Sequence, residues 1–187
     1  MTKLVHFTIQ RSRMSNTARG TLACGAVAGP LFAMVGLAQA FSRAGFDLNQ
    51  HTLSLLSNGD LGWIQIANFV VSGALFVAAA TGMRQVVTSG RAAMWWPRLI
   101  AVFGVGTVAA GALVPDPAYG FPPGTPGSTP TSVSWHGALH SFVVAALLGF
   151  LWVSALAARL RAEAGTPTPL RSPRSTSSRQ ASAPAAG

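Results

Sequence analysis

Four apolar runs with charge-free interiors dominate this chain and decide what it can fold into. They lie near Gly20–Phe41, Leu61–Met83, Pro97–Val114 and His136–Ala158. A helix rises about 1.5 Å per residue, so crossing a hydrocarbon core about 30 Å thick takes ~20 apolar residues. Any single run could be a buried helix of a soluble protein. Four of them in 187 residues could not be covered, because only 9% of the chain is charged where soluble domains carry about 25%. The expected fold is all-α. It is a polytopic transmembrane helix bundle of four spans over residues 20–158, with a basic segment 1–19 before it and a disordered, low-complexity tail 159–187 after it.

Charge placement orients that bundle. Lys3, Arg11, Arg13 and Arg19 precede the first run with no acid among them, and Arg84, Arg91 and Arg98 follow the second. The tail holds Arg159, Arg161, Arg171, Arg174 and Arg179 against Glu163. The other two connections carry the acids: Asp47 and Asp60 beside Arg43, then Asp116 alone. Basic loops stay cytoplasmic, so both termini are expected inside. The net charge of +9 then belongs to cytoplasmic loops facing anionic headgroups, and the lipid bilayer, not nucleic acid, is the expected partner. All five tryptophans agree: Trp63, Trp95, Trp96, Trp135 and Trp152 fall at the ends of runs, where the amphipathic ring settles.

The first run also resembles a secretory signal, with "LAQAF" at 37–41 as a cleavage site. A signal core is only about 7–15 residues long, and a retained span keeps the basic loops on one side. Retention is the expectation, with Met14 as an alternative start. Lys3 is the single lysine among 13 basic side chains, a usage typical of a high-GC genome and hence of a bacterial inner membrane. Cys24 is the lone cysteine, so no intrachain disulfide or thiolate metal site can form.

Small residues four apart let membrane helices approach closely. Gly25 with Gly29, and Gly106 with Ala110, form two such faces, through which a homo-oligomer could pack. "GVGTVAAG" at 104–111 has the look of a phosphate-binding loop but lies within an apolar run with no strand before it, and "PPGTPG" at 122–127 lacks the lysine of a P-loop.

The remaining polar groups gather in the first and third connections. Arg43, Asp47, His51, Ser54, Ser57 and Asp60 lie in one, and Asp116 in the other. Ser134 is placed to cap the fourth run, which opens with His136 and His140. Residues i and i+4 share a helix face, so both imidazoles can point to one spot near Asp116. His, His and Asp suit a divalent metal such as zinc with water in an open position, and His51 or Asp60 could then serve as acid or base. The plainer alternative has the histidines hydrogen-bonding to loop carbonyls, and Asp116, between Pro115 and Pro117, acting as a turn former. HxxxH without the glutamate of HExxH lacks a general base.

"HTLSLLSNGDLGWIQIANFVVSGALFVAAATGMR" at 51–84, "GALVPDPAYGFPPGTP" at 111–126 and "SWHGALH" at 134–140 occur in that order. Together they resemble the domain-of-unknown-function 998 family of bacterial and archaeal integral membrane proteins, over about residues 20–158. The resemblance implies that the family's recurring polar positions correspond to His51, Ser54, Gly59, Asp116, Pro117 and His136. It also implies two further spans after the Trp-His segment, so a four-span chain is expected to be a short, truncated or frameshifted member. It implies no activity.

Three function classes follow. The first is a membrane protein binding partners or lipids through an outward-facing polar cluster. The second is an extracytoplasmic metal-dependent hydrolase of a lipid or envelope substrate, by analogy with multi-span hydrolases. The third is a half-transporter acting as a dimer, which the absence of charged residues from the run interiors disfavours.

Overall fold

The structure is a computed structural model, which describes residues 15–130 and 132–164. Lys3, Arg11, Arg13 and Met14, and the tail beyond Ala164 with Arg171, Arg174 and Arg179, lie outside the described residues.

Four long helices carry the fold: α1 (Asn16–Ser42), α2 (Gly62–Val86), α3 (Gly90–Ala112) and α4 (Trp135–Ala164). A 3-10 turn, Leu53–Ser57, lies between α1 and α2. Among the described residues the only strand-like feature is one isolated bridge between Ala118 and Phe121. All four helices are long and apolar enough to cross a membrane. The chain is therefore all-α and of multi-pass membrane type.

Ser15 starts α1 by accepting the Ala18 N–H on its hydroxyl (3.0 Å), satisfying one of the donors that a helix start leaves free. Pro30 sits inside α1 and Pro97 inside α3. Each removes one backbone bond, which a membrane helix tolerates. Whereas the hydropathy places the third span from Pro97, α3 begins at Gly90, and the fully buried Pro97 belongs to its interior. Likewise α4 runs through Arg159 to Ala164, into residues that composition assigns to the tail.

The central helix is α2, packed along both α1 and α3. At the α2–α3 crossing a Cβ on Gly73 would stand 2.6 Å from the Gly104 carbonyl, and one on Gly104 would stand 2.6 Å from the Gly73 carbonyl. Only two glycines facing each other allow that approach. On the α1 side, Gly25 sits against Ala79 of α2 at 2.7 Å by the same measure. The fourth helix meets the others more sparingly: Gly106 of α3 admits Leu147, and Phe103 packs on Phe150 with centroids 5.8 Å apart. Of the α2 span 39% is buried, of the α4 span 6%.

The first unit of the chain ends at Leu151. The described part of the second is the last stretch of α4, from Trp152, whose side chain is exposed along with Val153, Leu156 and Leu160.

Candidate functional site

The connections before α2 and after α3 fold against each other at one end of the bundle. Leu55 and Leu56 of the 3-10 turn, Ala40 of α1, and Ala118 and Phe121 of the later connection form a buried cluster. Arg43 stacks over the Phe121 ring at 5.0 Å and donates to the Leu56 and Asn58 carbonyls, the latter at 2.6 Å. Burial pushes the Arg43 guanidinium pKa down, and the charge of Asp60 opposes that shift. The Asn58 amide donates to the Leu55 carbonyl (3.2 Å) and to the Pro115 carbonyl (3.1 Å), joining the two connections.

His51 makes the second join. It is 7% exposed. Its Nδ1 accepts the Asp47 N–H at 2.9 Å, so Nε2 carries the proton and donates to the Tyr119 carbonyl at 3.0 Å. Tyr119 adopts φ 54° and Gly120 φ 85°, the tight turn that presents this carbonyl. Asp47 accepts from the Asn49 N–H (2.8 Å) and amide (2.9 Å), and these bonds, the backbone one first, hold its carboxyl below the usual range. Asp60 is exposed, and Ser54 is half-buried with its hydroxyl 3.0 Å from that of Thr52.

The histidines of α4 face backbone. At the end of α3 the last carbonyls have no helical partner. His136 Nδ1 donates to the Val114 carbonyl (2.8 Å), and His140 Nδ1 to the Ala110 carbonyl (2.9 Å) and the Leu113 carbonyl. Ser134 caps α4, its hydroxyl accepting the Gly137 N–H at 3.0 Å. Asp116 accepts the Ser134 N–H at 2.9 Å. Hydrogen bonding by Ser134 holds the Asp116 carboxyl below its ordinary value, opposed by burial and helped by His136. Gly137 leaves the room that this carboxylate occupies. Asp116, Ser134 and His136 are thus neighbours, His140 lies one turn on, and His51, Ser54 and Asp60 belong to the other connection. Among the described residues no group of three or more His, Cys, Asp or Glu side chains could hold a metal ion.

Two cavities open beside these residues. The first, about 410 Å³, is a mouth whose largely apolar wall, with Leu55, Pro130 and Val133, is interrupted by polar Ser54, Asp116 and His140. The second, about 510 Å³, is an apolar slot between α1 and α4, floored by Phe69 and Phe76 of α2 and Phe103 of α3. Thr52, Ser54, Val144 and Leu148 line both, so mouth and slot adjoin.

Sequence reasoning missed this cleft, because it is the space left between helices rather than a property of any one of them. It also missed the buried amides. Gln39 donates to Gln65 (2.8 Å), and Asn68 donates to Gln65 (3.3 Å) and to the Phe32 carbonyl (3.1 Å), tying α1 to α2. The available signal was Gln65, Asn68 and Ser72 at helical spacing inside an apolar run. The small-residue faces are used within the chain: Gly25 meets α2, Gly106 meets α4 and Ala110 is fully buried, while Gly29 opens onto the slot.

No curated protein matches the chain, and no solved structure matches it. A family model described as "Protein of unknown function (DUF998)" matches residues 26–178. That match takes in α2, α3 and α4 whole and most of α1, so the membrane protein whose connections build this cleft belongs to the DUF998 family.

Proposed function

We propose that the protein binds a membrane amphiphile in the cleft, its headgroup in the mouth and its acyl chain in the slot. The observation that carries this reading is that two cavities adjoin across shared lining residues, one bordered in part by polar side chains at the loop end and the other aromatic and aliphatic along the helices. That gradient matches a lipid in polarity and direction. With Arg84 and Arg98 at the opposite end of the helices, the positive-inside rule turns the mouth outward, in a bacterial inner membrane with both termini cytoplasmic. The site offers recognition more than chemistry, since both nitrogens of His51 are engaged and both α4 histidines spend Nδ1 on carbonyls.

The test is photo-crosslinking in nanodiscs with a phospholipid carrying a diazirine in its acyl chain, adducts being mapped by mass spectrometry. Adducts are expected to concentrate on Phe76, Phe103 and Leu147 of the slot rather than on the exposed Val102 and Phe142. Leu148→Trp, at the junction of mouth and slot, is expected to suppress them. Labelling that merely follows exposure, unchanged by Leu148→Trp, would sink the reading.

A further inference from the structure

The cleft has a sign. Asp116 is the one acidic residue that lines the mouth or the slot, and no lysine or arginine lines either. His140, the one histidine there, is 3% exposed and bonds only to backbone carbonyls. A buried imidazolium without a carboxylate would be costly, so His140 is neutral and leaves the sign unchanged. Asp116 is half-buried, and its carboxyl is ionised at neutral pH because bonding by Ser134 holds it below the ordinary value. None of the groups that shift it is a lysine or arginine. The surrounding connections do not offset this charge. They hold Asp47 and Asp60 against Arg43, and Arg43 lines neither cavity. Its guanidinium donates to the Leu56 and Asn58 carbonyls and stacks on the Phe121 ring. Arg19 and Arg84 lie at the far ends of α1 and α2.

We infer that this wall selects by headgroup charge: the cleft takes an amphiphile whose head carries a positive group and turns away one whose head is net negative. This rests on the cleft being a lipid site and names the class of lipid it takes. A charge acts through space, so its sign reaches a headgroup in the mouth without a bond from any one atom. The apolar helices beside the mouth keep that field from being fully screened. The depth agrees. Asp116 follows the end of α3 and accepts the Ser134 N–H at the start of α4, whereas the α4 residues of the slot begin at Val144. The carboxylate therefore meets the head and not the chain. An anionic head would stand beside a like charge, with no lysine or arginine to receive its phosphate.

Three diazirine probes with identical acyl chains vary the charge: phosphatidylmethanol is negative, phosphatidylcholine neutral overall, and the O-ethyl ester of phosphatidylcholine positive. None of these heads has an N–H or O–H, so hydrogen-bond donation is the same for all three. Each is added at trace level to phosphatidylcholine nanodiscs, with EDTA to remove bridging divalent cations, at about pH 8, above the ordinary imidazole range. Labelling of Phe76, Phe103 and Leu147 in the slot is divided by labelling of the exposed Val102 and Phe142. That ratio cancels any general enrichment of one lipid around the protein. It is expected to rise about two- to fivefold for each unit of positive charge, the worth of a partly exposed charge pair. Asp116→Asn removes the charge, and Thr52→Lys opposes it from an exposed residue lining both cavities. Each is expected to flatten the series. Equal ratios for the three probes in the wild type, or the highest ratio for the anionic one, would overturn the inference while leaving the lipid site standing. So would a series unchanged in both folded variants. Slot labelling no higher than at the exposed positions with every probe would remove the lipid site itself. The wild-type series decides the matter even where neither variant folds.

Discussion

Asp116 shows how one carboxylate can organise the end of a bundle. It accepts the N–H of Ser134, the residue that caps α4, and stands at the positive end of that helix. Its carboxyl is held below the ordinary value of about 3.9. A depressed folded-state pKa contributes stability that is fully present above the unfolded value and lost as pH falls through the folded one. Asp116→Asn keeps an acceptor and removes the charge. At pH 7 the variant is expected to be less stable than the wild type by about 0.5–1 kcal/mol, the usual worth of an anion at a helix start. Below about pH 4 the difference is expected to shrink toward zero as the carboxylate is protonated. Denaturant unfolding in mild detergent across that range reads both, and a difference that stays constant with pH would assign the effect to shape instead of charge. The spacing of His136 and His140 on one helix face was legible in the sequence. Their partners were not, because the acceptors are the carbonyls of Ala110, Leu113 and Val114 at and just beyond the end of α3, backbone atoms that no side-chain pattern reveals.

At the scale of elements, hydropathy locates the helices but not their neighbours. A membrane span is apolar all round, since lipid and protein faces are both apolar, so no amphipathic stripe points to the packing side. What marks it are interruptions. Gly73 and Gly104 mark the α2–α3 crossing, and Gln65 and Asn68 mark the α1–α2 seam. The glycine-rich "GVGTVAAG" is therefore a packing surface: Gly104 meets the α2 backbone, Gly106 receives Leu147 and Gly111 lies against Phe69. A methyl-bearing residue at 104 would meet backbone atoms of Gly73 and Val77 at 2.6 and 2.9 Å, which no rotamer change relieves. Gly104→Val is expected to destabilise by about 1–3 kcal/mol or more through overpacking. Gly29→Val, with no atom within 4 Å of the new Cβ, is the control and is expected to be near neutral in the same unfolding measurement. Equal loss in both would refer the effect to glycine chemistry in general and not to the crossing.

For the whole molecule, the cleft is meaningful only with a side. The two connections that build the mouth hold Asp47, Asp60 and Asp116 with Arg43, and Arg43 spends its guanidinium on the Leu56 and Asn58 carbonyls and the Phe121 ring. The α2–α3 connection has no acid, and Arg84 and Arg98 flank it. Moving those two arginines across a bilayer core would cost several kcal/mol, since each is worth roughly 2.5–3.5 kcal/mol at the centre of a span on insertion scales, and this asymmetry supports the proposed direction of insertion. On a Cys24→Ala background, cysteine at Tyr119, exposed beside the mouth, is expected to react with a membrane-impermeant maleimide applied to intact cells. Cysteine at Thr88, exposed in the α2–α3 connection, is expected to react only after permeabilisation. The reverse pattern would turn the mouth toward the cytoplasm, so that any lipid it takes would come from the inner leaflet. The site geometry would survive that result, because the bonds of His51, Asn58 and His140 are internal to the fold. Only the pool of amphiphile available to it would change.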